Sequence, residues 1–321
     1  MIIAISIISL IVLICLTLFL YWAYAPTPKA PRLLSKISKE EILIGTEKRT
    51  YWKYVPTRLS KRKVPLVIVL HGSGIDGARI RAWTGYEFDL MADEYGFAVA
   101  YPDGYKHNWN DIRKNAPFPA KKKNIDDVGF IKSLIESYRL THDIDLRQVY
   151  VFGYSNGGTM ALRLAISEPG LLAGLAISGS NLPTDDNLID NLRAPMPPVL
   201  MVNGTADPII PYEGGNVRFF GKDLGNVISA LATAEAIAES HNGPKTTQTV
   251  RLPHLNPDDL TTAERKVWLQ DEQKLVALYT VHGGGHVVPQ SIAKFPRLMG
   301  KANRDFSAPR EAVNFWGLNR L

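Results

Sequence analysis

Cysteine is all but missing from this chain of 321 residues. Cys15 is the only one, so no intramolecular disulfide can form in any compartment. Internal repeats are missing too, and with them the solenoid and array architectures. Charge is absent from the beginning of the sequence: no charged side chain precedes Lys29, and Ile2 to Ala23 is nearly continuous apolar sequence. Acidic residues are scarce just after it. Residues 29–63 hold eleven Lys/Arg against three Glu, a net of +8, whereas everything beyond residue 63 nets −2. The basic balance therefore belongs to one short stretch, which includes Lys61-Arg62-Lys63. Such a stretch fits anionic lipid headgroups or an ordinary solvated cluster more simply than nucleic-acid binding, and no nucleic-acid partner is expected.

What is present is enough for one large domain, with 45% hydrophobic residues. Helical patterns at 88–95, 126–140, 157–167, 224–239 and 308–318 alternate with short apolar runs. That alternation predicts an α/β fold, a mostly parallel sheet with helices on both faces. Residues 50–56 alternate as an antiparallel edge strand would, and the polar stretch 242–274 reads as a loop excursion beside the site.

The chemistry is concentrated in Gly153-Tyr154-Ser155-Asn156-Gly157, which has the G-x-S-x-G form of a nucleophile elbow. A β-branched and aromatic run, 148–152, precedes it, and a helical pattern follows as far as Pro169-Gly170. A turn this tight strains the serine backbone and exposes its hydroxyl above the sheet, while a Cβ on either glycine would collide with a neighbouring element. The apolar run 198–202 leads to Asp207, and 275–281 leads to His286. Serine, then aspartate, then histidine, each after a strand, is the chain order of α/β-hydrolases. In that scheme Ser155 attacks a carbonyl, His286 takes its proton and Asp207 orients the imidazole. Two backbone N–H groups must face the developing oxyanion. Asn156 supplies one and Ser73, in the loop His71-Gly72-Ser73-Gly74 after the run 65–70, the other.

Competing residues have plainer roles. Asp185, Asp186, Asp258 and Asp259 lie in polar stretches and read as solvated or capping carboxylates. Three glycines between His282 and His286 rule out a helical metal pair, and His282 ends the strand. His71 reads as structural, Trp109 as a cleft or core aromatic, and Asp126 as a helix N-cap. No metal or organic cofactor is implied.

With these stretches in place, the chain resembles the polyhydroxybutyrate-depolymerase and feruloyl-esterase-like group of α/β-hydrolases. The matching segments are VIVLHGSG at 67–74, YPDG at 101–104, WND at 109–111 and DDVGFI at 126–131. They continue with VYVFGYSNGGTMALRLA at 149–165, VNGTADPIIPY at 202–212 and YTVHGGGHVVP at 279–289. The resemblance implies a serine esterase acting on a carboxylic ester. It also favours His286 over His282. The group usually has an aromatic residue two places after this histidine. Here Val288 stands there, which predicts a wider pocket beside His286. A peptidase or thioesterase with the same three residues, or a tethered binding module without activity, are the competing functions.

The expected organisation is a transmembrane anchor or uncleaved signal at 1–25, a basic linker at 26–44 and the hydrolase domain at 45–321. The apolar run has bilayer length, lacks the positive start of a secretory signal, and is followed by Pro26 at the one A-x-A-like site. Lys29, Arg32, Lys36 and Lys39 would place the following side in the cytoplasm. The resemblance points instead to a catalytic domain outside it, and that is the localisation expected, with secretion after cleavage or a cytoplasm-facing domain as the alternatives.

Overall fold

The computed structural model describes residues 2–57, 63–192 and 194–320, with side chains from Ile11 onward. Arg58, Lys61 and Arg62 of the basic stretch lie outside the described residues. In chain order the elements are α1 (Ile2–Ala23), β1 (Ser38–Ile44), β2 (Glu47–Tyr54), β3 (Val64–Leu70), α2 (Gly77–Trp83), α3 (Glu87–Tyr95) and β4 (Ala98–Pro102). There follow α4 (Pro119–Lys122), α5 (Asp127–His142), β5 (Ile144–Tyr154), α6 (Asn156–Ser167), β6 (Gly174–Ser178), β7 (Val199–Gly204), β8 (Gly215–Phe219) and β9 (Lys222–Val227). The last are α7 (Ala230–Glu239), β10 (Thr246–Arg251), β11 (Thr262–Gln270), β12 (Gln273–His282) and α8 (Ala308–Phe315).

Ten strands form one sheet in the order β1-β2-β4-β3-β5-β6-β7-β12-β11-β10. The six from β4 to β12 run parallel, and antiparallel pairs close both sides. Helices cover both faces, so the central strands are buried on both and read as unbroken apolar runs. In β3, Leu66, Ile68 and Leu70 join the core with α5, α6 and α7, while Val67 and Val69 join the core with α2, α3 and α8. Each such side chain stabilises the fold by about 1.5–3 kcal/mol through burial.

Local chemistry sets the helix ends. Asp126 caps α5, accepting from the Gly129 N–H at 2.8 Å, and Ser229 caps α7 through the Ala232 N–H at 3.0 Å. Pro169 lacks the N–H needed to prolong α6.

Several expectations need correction. Residues 224–239 are not one helix. Lys222–Val227 pairs with Gly215–Phe219 as a hairpin whose two-residue turn, Phe220-Gly221, has φ of +47° and +75°. The excursion expected at 242–274 is largely strand: β10 and β11 extend the sheet at the end far from β1. β2 is flanked on both sides, and the edge belongs to β1, which forms the end of the stretch expected as linker. The span expected over residues 1–25 is present as helix α1 alone. Among the described residues no helix is long and apolar enough to cross a membrane.

Candidate active site

The carboxyl ends of parallel strands are where loops leave the sheet and ligands bind. β3 delivers the loop from His71, β4 the segment 103–111, β5 Ser155, β7 Asp207 and β12 the loop to His286. Ser155 has φ +54° and ψ −121°, a conformation costly for any residue with a side chain. Its surroundings hold it there: the Ser155 N–H donates to the Ser178 carbonyl at 2.9 Å, and the Ser180 hydroxyl donates to the Ser155 carbonyl at 2.7 Å. A Cβ at Gly153 would sit 2.4 Å from the Gly157 carbonyl oxygen, and one at Gly157 would sit 2.4 Å from that of Leu70. Only glycine fits at either position.

His286 is buried and its Nδ1 lies 2.7 Å from Asp207 Oδ2. The other carboxylate oxygen of Asp207 accepts the N–H groups of Ile209 and Ile210, both at 2.8 Å. This leaves Nε2 of the imidazole free of the pair. Backbone ties fix the ring from behind: the His286 N–H donates to the Met299 carbonyl at 2.6 Å, and the Tyr154 hydroxyl to the His286 carbonyl at 2.7 Å. His282 is half-exposed, 3.7 Å from Glu264. Ser155, His286, Ser73 and Tyr154 line one cavity of about 420 Å³, whose remaining walls are mostly apolar.

The loop from His71 lies against the serine, since a Cβ on Gly72 would come within 3.2 Å of Ser155 Cβ. His71 Nδ1 donates to the Gly72 carbonyl at 2.7 Å and Nε2 accepts the Gly104 N–H at 2.8 Å, which requires a neutral ring. Burial pushes its pKa down to about 4. Trp109 is wholly buried and its Nε1 donates to the His71 carbonyl at 2.8 Å.

Sequence reasoning named Asn156 for its N–H and Trp109 as an aromatic, but missed the role of the Asn156 side chain and the network that holds it. Its Oδ1 accepts the Trp109 N–H at 2.8 Å and its Nδ2 donates to Asp111 at 2.5 Å. Asp111 also accepts the Thr159 hydroxyl at 2.9 Å and pairs with Arg113. Burial opposes the charge of Asp111, but the Arg113 guanidinium outweighs it and holds the carboxyl below its usual range. A Trp-Asn-Asp-x-Arg run was the available signal, because an Asp and Arg two apart in a loop can close on each other.

Residues 49–193 match the family model described as Esterase PHB depolymerase. This stretch is an Esterase PHB depolymerase domain. The relatives agree with the family. "Putative esterase NocK" of Nocardia uniformis subsp. tsuyamanensis is 28% identical over 91% of this chain and 86% of its own length. The poly(3-hydroxybutyrate) depolymerase of Ralstonia pickettii is 30% identical over 41% of this chain and 28% of its own length. By fold, the acetyl xylan esterase from Aspergillus awamori superposes with a TM-score of 0.57 at 14% identity, covering 88% of this chain and 99% of that one. The fold is that of the α/β-hydrolases, and the family model with its relatives makes the chain a serine ester hydrolase.

One expectation drawn from the family fails here. Val288 does not wall the cavity; it is fully buried in the core beneath α8. His286, two residues earlier, does line the cavity. The apolar walls of the cavity include Phe118, Ile209, Ile210, Phe219 and Leu224 instead.

Proposed function

We propose that the protein hydrolyses carboxylic esters through an acyl-enzyme on Ser155. The Asp207–His286 pair, opening on the same cavity as a serine held at positive φ, is the observation that carries this reading. Ser155 Oγ attacks the carbonyl carbon while His286 Nε2 takes its proton. Asp207 keeps the Nδ1–H tautomer in place and stabilises the imidazolium. The Ser73 and Asn156 N–H groups receive the oxyanion, the second of them as an unpaired donor of the first turn of α6. The imidazolium then protonates the leaving alcohol, and water, deprotonated by the same imidazole, releases the acid. The apolar walls favour a bulky acyl group. The names of the relatives, which also include a feruloyl esterase B of Neurospora crassa and a bifunctional acetylxylan esterase/xylanase of Neocallimastix patriciarum, point to 3-hydroxybutyrate, ferulate and acetyl esters as the first to try.

We propose further that α1 anchors the enzyme with its catalytic domain outside the cytoplasm. What supports this reading is the lack of any charged side chain before Lys29 and the exposure of the large apolar side chains of α1 from Ile11 to Trp22.

Ser155→Ala should fold normally and lose about 10³-fold or more in kcat on a panel of chromogenic esters and thioesters. A fluorophosphonate probe should label the unaltered enzyme alone. Equal labelling of the variant would remove Ser155 from the mechanism, and thioester preference would move the reading to a thioesterase.

A further inference from the structure

Three separate elements meet at the mouth of the cavity. The end of α1 contributes Ala23, the hairpin tip contributes Phe219 and Phe220, and the turn Arg297–Met299 contributes Leu298 and Met299. The helix is held there. The Arg297 guanidinium stacks 4.0 Å from the Tyr21 ring centre, and its Nη1 donates to the Tyr21 carbonyl at 2.9 Å. The chain beyond is tied as well: Arg79 donates to the Thr27 hydroxyl at 2.8 Å, Tyr86 to the Pro28 carbonyl at 3.1 Å, and the Leu34 N–H to Asp93 at 2.9 Å. The direction in which α1 leaves the domain is therefore set relative to the cavity.

The surface around that exit has a composition of its own. Every large apolar side chain from Ile11 to Trp22 is exposed. Phe220 is 78% exposed and occupies a left-handed conformation that an aromatic residue adopts at a cost. Neither its exposure nor its backbone serves stability in water. Beside the mouth lies a depression lined by Lys294, Arg297, Lys301 and Arg304, against two carboxylates, Asp258 and Asp259. Leu260, 76% exposed, stands on its rim.

We propose that this face seats on an anionic lipid bilayer, and that the cavity draws its ester from the bilayer. The substrate class is an amphiphilic ester with a long hydrocarbon chain, which passes from the leaflet along Ala23 and Leu298 to Ser155 without crossing water. The inference rests on the esterase and anchor readings above. α1 sets the height of the domain, Phe220 enters the interfacial layer, and the four cations meet headgroup phosphates.

The test uses the full chain in phosphatidylcholine vesicles with and without phosphatidylglycerol. A fluorogenic palmitate ester dissolved in the lipid reports the bilayer reaction, para-nitrophenyl acetate reports the soluble one, and flotation reports attachment. The expected result is hydrolysis of the palmitate roughly tenfold faster in the anionic vesicles. The combined variant Lys294→Glu, Lys301→Glu, Arg304→Glu should lose that advantage while acetate turnover stays within about twofold. Flotation and acetate turnover without palmitate hydrolysis would overturn this inference alone, as would equal palmitate rates in both lipids and in the variant. Failure to float would instead overturn the anchor reading, and a folded chain inert to acetate and fluorophosphonate the esterase reading. Either would take this inference with it.

Discussion

His286 and His282 lie one short glycine run apart, yet they occupy different media. The first is buried on a carboxylate that is itself 1% exposed, and the second is half in solvent. His286→Ala and Asp207→Asn should each lower kcat by about 10³–10⁴-fold, and His282→Ala by less than about twofold. An inactive His282→Ala would exchange their roles. His71 makes a second prediction, on stability. Its pKa is about 4 in the folded protein against about 6.5 in the unfolded chain. Between those values the unfolded chain binds more protons, so stability falls as pH drops from about 6.5 towards about 4, by roughly 3 kcal/mol in full. Urea midpoints measured across that window should show the slope, and His71→Gln should flatten it. Equal slopes in both proteins would place the acid sensitivity elsewhere.

At the scale of elements, legibility divides by the range of the forces involved. The elbow at 153–157 and the strands leading to Ser155, Asp207 and His286 are readable, because sterics and apolar patterning within a few residues dictate them. The hairpin 215–227 is not. Its second strand opens an Ala-rich apolar stretch that suits a helix, and only pairing with β8 and the turn at Phe220-Gly221 decide otherwise. β10 escaped notice because all six of its side chains are exposed, so no alternation marks it. The cavity wall is assembled from Phe118, Ile209 and Phe219, which share no local pattern. That wall is testable. Ile209→Trp should lower kcat/KM for bulky acyl groups more than for acetate, by about 1–3 kcal/mol of discrimination. Uniform loss across acyl sizes would show that residue 209 does not face the acyl chain.

Across the whole molecule, the segment from Tyr24 to Ile44 belongs to the body of the domain rather than hanging from it. β1 adds seven register pairs with β2, and the Ser35 N–H donates to the Tyr54 hydroxyl at 3.2 Å. A chain beginning at residue 45 should therefore melt about 5 °C or more below one beginning at residue 25, as read by tryptophan fluorescence. Coincident melting curves would show that the strap and β1 add no stability. A loose tether would let a catalytic domain sample a hemisphere set by linker length. Ties at Thr27, Pro28 and Leu34 leave no slack for that. With α1 fixed in a leaflet, Ser155 would work at a single height, and its search would be confined to an area instead of a volume. Turnover would then follow the number of ester molecules per unit of membrane, and adding empty lipid would slow the enzyme by dilution in two dimensions.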